Sequence, residues 1–77
     1  MIDVAVSGSM GLYQIAPTTR RGRAWVKRHL SKGERTILNG AIVCEGGNRC
    51  RDIVAAMVAK GLSVEVNGVD MKGYRND

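Results

Sequence analysis

The sequence predicts a small α/β (α+β) domain: a two-layer sandwich of order β-β-α-β-α-β with an optional final strand, its mixed sheet of four to five strands carrying two helices on one face. Three observations lead there. Short aliphatic runs recur at 2–6, 12–16, 41–44 and 62–66, each bounded by Gly, Pro, Asn or Ser. Between them, the stretches near 19–30 and 49–60 place apolar residues on a single helical face. The composition, 44% hydrophobic with 25% charged, belongs to a folded chain and excludes a disordered tail.

The first strand is predicted where Ile2, Val4 and Val6 alternate with smaller or polar neighbours. Ser7-Gly8-Ser9-Met10-Gly11 then reads as a turn, and Leu12-Tyr13-Gln14-Ile15-Ala16 returns as the second strand of a hairpin, ended by Pro17, which lacks an N–H. Thr18 or Thr19 supplies the N-cap of a helix over about 19–30, although Arg in its first turn opposes the helix dipole. Gly22, Trp25, Val26, His29 and Leu30 form its apolar face, and Gly33 reads as a left-handed cap. From Arg35 to Glu45 the chain turns β-rich. Ala41-Ile42-Val43-Cys44 is a continuous apolar run of the kind covered on both faces, with Asn39-Gly40 either a hairpin turn or a bulge. Glu45-Gly46-Gly47-Asn48 reads as a loop whose Asn48 caps a second helix over about Arg49 to Lys60. That helix turns Cys50, Ile53, Val54, Met57 and Val58 inward and ends at Gly61 as its C′ residue. Leu62-Ser63-Val64-Glu65-Val66 alternates as a strand with one wet face; Asn67-Gly68 calls for a tight turn, and Val69-Asp70-Met71 offers an edge strand.

With 77 residues there is room for one core, so residues 1–71 are expected to form a single domain followed by a polar, fraying tail at 72–77. A chain of this size buries only about 60% of the surface its unfolded form exposes, which makes a homodimer a reasonable expectation. The core must be aliphatic, because Phe is absent and the aromatics are Trp25, Tyr13 and Tyr74. No run approaches the ~20 apolar residues that span a bilayer, and the start of the chain lacks a charged segment followed by an apolar one. The expectation is a cytoplasmic protein without membrane contact, its Cys44 and Cys50 reduced.

The charge is unevenly spread. Lys and Arg number 12 against 7 Asp and Glu, a formal +5. Arg20, Arg21, Arg23, Lys27, Arg28, Lys32 and Arg35 face only Glu34 within residues 18–35, whereas the rest of the chain carries five cations against six acids. So concentrated a patch is an electrostatic footprint for an anionic partner, and its bias to Arg suits the planar fork that binds phosphate or carboxylate. Arg49 and Arg51, at the start of the second helix, provide a second anion contact. A surface helix also needs a polar face and can carry basic residues with no partner, so charge alone does not establish function. A sheet that stacks RNA bases wants two or three exposed aromatics on neighbouring strands, and only Tyr13 is available. Contact with a nucleic-acid backbone or with duplex shape is therefore favoured over sequence-specific single-strand recognition.

Chemical motifs give less. Val43-Cys44-Glu45-Gly46-Gly47-Asn48-Arg49-Cys50-Arg51 resembles the phosphate loop of cysteine-dependent phosphatases, where Arg follows Cys after five residues. Cys50 stands where that Arg belongs, Val43 stands where His would, and no general-acid Asp is evident. The segment is therefore read first as a glycine turn before a capped helix. Cys44, Cys50 and His29 do not have zinc spacing, and His29, on the apolar face, reads as a packed histidine. Ser7 and Ser9 lack a partnered base, and no helix-turn-helix or Walker-type loop occurs. No catalytic residue, metal or cofactor is expected.

Leu12–Ile15 with Ala16-Pro17-Thr18-Thr19, Gly22-Arg23-Ala24-Trp25-Val26, Ala41-Ile42-Val43-Cys44-Glu45, Arg51-Asp52-Ile53-Val54 and Lys60-Gly61-Leu62 together resemble a loose set of short bacterial proteins of prophages, plasmids and other mobile elements, which have no assigned activity. The resemblance covers residues 12–66; the Gly8–Gly11 turn and the Gly46-Gly47 loop have no counterpart in it. It implies context and no catalytic residues. The expected function is a non-enzymatic binding module whose first helix docks an anionic partner, foremost nucleic acid or a nucleoprotein complex. The alternative is a mobile-element inhibitor, of anti-CRISPR or other anti-defence type, that grips an acidic protein surface and occludes a host complex.

Overall fold

In the computed structural model of the chain, which describes residues 2–30, 35–36 and 41–74, one mixed sheet is covered by two helices. β1 (Val4–Ser9) and β2 (Leu12–Pro17) form the hairpin and lead into α1 (Arg20–Leu30). β3 (Arg35–Thr36) and β4 (Ile42–Glu45) follow, then α2 (Gly47–Ala59), β5 (Val64–Val66) and β6 (Val69–Asp70). The order across the sheet is β3-β4-β2-β1-β5-β6, antiparallel except where β5 runs parallel to β1. This is the expected two-layer α/β sandwich; the two-residue strands β3 and β6 bring the count to six rather than four to five.

Both helices lie on one face for a topological reason. The α1 crossover runs from β2 past β4 to β3, and the α2 crossover runs from β4 past β2 and β1 to β5. The two travel in opposite directions from antiparallel strands, so the same right-handed rule puts both on the same side. Side-chain alternation agrees. Val6 opposes Ile15, Ile15 opposes Ile42 and Val4 opposes Val64, and all five enter one core with Val26 and Leu30 of α1 and Cys50, Ile53, Val54 and Met57 of α2. Ile15, Met57, Val4 and Val64 are wholly enclosed, each contributing about 1.5–3 kcal/mol relative to exposure. Val43 points the other way and is half-buried, so β4 is packed by a helix on one face only.

Local chemistry moves several boundaries. β1 continues through Gly8 and Ser9, and the turn is the pair Met10-Gly11, with φ of 57° and 79°. Asn67-Gly68 repeats that two-residue form with φ of 50° and 84°. The Asn67 amide also exchanges two 3.0 Å hydrogen bonds with the backbone of Gly8, adding a side-chain rung beyond Val66 to the β1–β5 ladder. α2 starts at Gly47, two residues before the position expected from Asn48; Gly46 is its N-cap without a side-chain bond, and Asn48 sits in the first turn. Its end follows expectation: Gly61 N–H donates to Val58 and Leu62 N–H to Met57, each at 3.0 Å, with Gly61 at φ 94°. This is a Schellman closure. It commits Leu62 to the helix end, so β5 begins at Val64 rather than Leu62. Packing also continues past Lys72, where a tail was expected: Tyr74 N–H donates to Met71 at 2.9 Å and its ring lies against the core. β3 and β4 are antiparallel; Asn39-Gly40 and the Gly33 cap lie outside the described residues.

Candidate functional site

α1 is seated on the sheet by its N-terminal turn. Thr19 is the N-cap: its hydroxyl accepts the Gly22 N–H at 3.1 Å and donates to Asp3 Oδ1 at 2.6 Å. Asp3 Oδ2 accepts Ser63 N–H at 2.9 Å and Arg21 Nη2 at 3.2 Å, while Arg21 Nη2 also donates to the Gly61 carbonyl. Gly22 lets the helix close in, because a methyl there would stand 2.1 Å from the Asp3 carbonyl oxygen. One buried carboxylate thus joins β1, α1 and the α2–β5 connection, and it faces the helix end where negative charge is favoured. The Ser63 N–H, then the Thr19 hydroxyl, then Arg21 hold the Asp3 carboxyl below the usual carboxylate range, against burial, which raises it.

This arrangement sorts the basic residues. Arg21, expected among the docking cations, is tied to Asp3 and Gly61 and serves first to fix the helix. Arg20, Arg23, Lys27 and Arg28 are exposed and, among the described residues, have no acidic partner. At roughly 100° per residue these four span about 140° of the helix circumference, an arc that adjoins that of the buried Gly22, Val26 and Leu30 at Arg23. Lys32 lies outside the described residues, and of Arg35 only the backbone is described. Arg49 and Arg51 are exposed in the first turn of α2; Arg49 has interactions within the protein, and Arg51 borders a hollow of about 120 Å³ with Tyr13 and Tyr74.

A second feature lies on the flank of α1. An open groove of about 500 Å³ is lined by Arg21, Ala24, Trp25, Arg28, His29, Lys60 and Leu62. His29 is exposed here, not packed in the core as its place on the apolar face suggested, and its ring meets that of Trp25 at 4.5 Å between centroids. Sequence reasoning passed over Lys60, which stands beside the groove only because the Schellman turn brings the end of α2 against α1. Tyr13, the aromatic expected to be available on the sheet, packs against the core.

The cysteine loop offers a different picture. Cys44 and Cys50 are both buried free thiols, and Cys50 Sγ lies 3.4 Å from the Cys44 carbonyl oxygen. Cys44 is enclosed in the core. Among the described residues no group of three or more His, Cys, Asp or Glu is placed to hold a metal, and no helix is long and apolar enough to cross a membrane. Neither a protein-family profile nor a curated sequence nor a solved structure matches the chain.

Proposed function

We propose that this protein is a non-enzymatic binding module that docks nucleic acid, alone or within a nucleoprotein, through the exposed face of α1. The observation that carries the reading is that Arg20, Arg23, Lys27 and Arg28 share one exposed helix face without acidic partners among the described residues. Glu45, Glu65 and Asp70 stand by register on the opposite, open face of the sheet. These acids therefore stand away from the α1 cations and do not offset them against an approaching polyanion. Phosphate contacts of this type supply affinity and little sequence preference.

The test is anisotropy of labelled duplex DNA and duplex RNA across a salt series, with the wild type beside the variant Arg20→Glu, Arg23→Glu, Lys27→Glu, Arg28→Glu. The expected result is binding whose log K falls steeply with log salt, and a variant that flattens the slope by about 0.9 per lost DNA phosphate contact. Absence of binding to either duplex at low salt overturns the reading. A second reading, occlusion of a protein complex, is favoured by Met10, which is 98% exposed at the hairpin tip in a left-handed conformation, with Leu12 half-exposed beside it. It predicts affinity for one protein partner that survives moderate salt.

A further inference from the structure

We infer that the groove on the flank of α1 takes an unpaired nucleotide of a single-stranded nucleic acid, its base against Trp25 and His29 and its phosphate at Arg28 and Lys60. The inference rests on the reading of α1 as a nucleic-acid surface and names what that surface takes beside the phosphate contacts.

Four observations carry it. Trp25 is only half-buried, and the His29 ring leans on it with centroids 4.5 Å apart and planes tilted by 33°, so the groove presents an aromatic pair against which any base can stack. Of its three cationic lining residues Arg21 is paired with Asp3, while Arg28 and Lys60 are exposed and no lining residue is acidic, so a negatively charged ligand is drawn to Arg28 and Lys60. Its volume of about 500 Å³ lies within the range of about 300–1,000 Å³ usual for small-ligand sites. Its wall is built in advance, because Arg21 bridges Asp3 and the Gly61 carbonyl and so holds α1 against the end of α2. A duplex keeps its base faces stacked on one another, whereas an unpaired base offers its face to a side chain. An aromatic floor beside a cationic wall is therefore matched by a single strand and left half-used by a duplex.

Trp25 is the only tryptophan in the chain, so its fluorescence reports this groove alone. The full chain is titrated with a labelled oligothymidylate of about ten nucleotides, the matching labelled duplex and inorganic polyphosphate, reading label anisotropy and Trp25 emission together. The expected result is quenching of Trp25 by the single strand and not by polyphosphate. Loss of one stacking partner in His29→Ala, an exposed position, is expected to weaken single-strand binding about fivefold or more with an unchanged thermal midpoint. If the nucleic acids bind by anisotropy while Trp25 emission stays constant, or responds equally to polyphosphate, the inference falls and the α1 reading stands. If neither labelled nucleic acid binds, both fall.

Discussion

At the residue scale the most consequential side chain is Asp3. It accepts from a backbone N–H, a hydroxyl and a guanidinium that are 60, 16 and 18 positions away along the chain. Its folded-state carboxyl lies below its unfolded value, so ionised Asp3 stabilises the fold fully above the unfolded value of about 3.9, and this contribution is lost as pH falls through the lower folded value. Asp3→Asn should cost about 1–3 kcal/mol at neutral pH, since hydrogen bonds to a charged acceptor are the stronger kind. Chemical denaturation of both proteins across pH checks it. The difference should be level at mildly acidic and neutral pH and shrink below about pH 4; a gap that persists undiminished into that range would contradict the assignment. Nothing local marks Asp3 in the sequence, where it reads as the polar neighbour of Ile2 and Val4. Its role comes from contacts distant in sequence, which periodicity cannot see.

At the scale of elements, the tension lies between what a helix prefers and where it must dock. Gly22 sits inside α1, where Ala is normally favoured by about 1 kcal/mol, yet a methyl there would meet the Asp3 carbonyl oxygen at 2.1 Å. Backbone cannot give way as a side chain does. Gly22→Ala should therefore destabilise, by about 1–3 kcal/mol in the manner of an overpacked core, although an isolated α1 peptide with the same change gains helicity. Melting of the protein and circular dichroism of the peptide should move in opposite directions; a protein that gains stability with the change would show that α1 does not press on β1. The sequence revealed these elements unevenly. Regular apolar spacing marked α1 and the inward face of α2, and Asn67-Gly68 and Gly61 marked a turn and a cap because their backbone requirements are local. The start of α2 was misplaced because Gly46 takes the N-cap position that side-chain chemistry assigned to Asn48. His29 was misplaced because it lies at the border of the apolar arc, where helical spacing alone does not decide between core and groove. The groove itself needed the juxtaposition of α1 with Lys60, which no stretch of sequence contains.

For the molecule as a whole, the distribution of charge works against the stability of its own first helix. α1 has no acid in its first turn, so Arg20 and Arg23 oppose the helix dipole, and its exposed cations repel one another at spacings of three, four and seven residues, although the dipole favours Lys27 and Arg28 in the last turn. A chain under selection for stability alone would be expected to mix signs here. Arg23→Glu isolates the conflict: it puts an acid in the N-terminal half of α1, four residues before Lys27 and three after Arg20, at an exposed position without an acidic partner among the described residues. The fold should gain about 0.5–1 kcal/mol from dipole and pair terms, read as a higher denaturant midpoint at unchanged slope. The same substitution should lower the salt slope of duplex DNA binding by about 0.9, because one phosphate contact is lost. Gain and loss in one variant would mean that the basic face is held for docking at a cost in stability. A gain in stability with duplex binding unaltered would make Arg23 a solvated surface residue and leave Arg20, Lys27 and Arg28 to account for the contact.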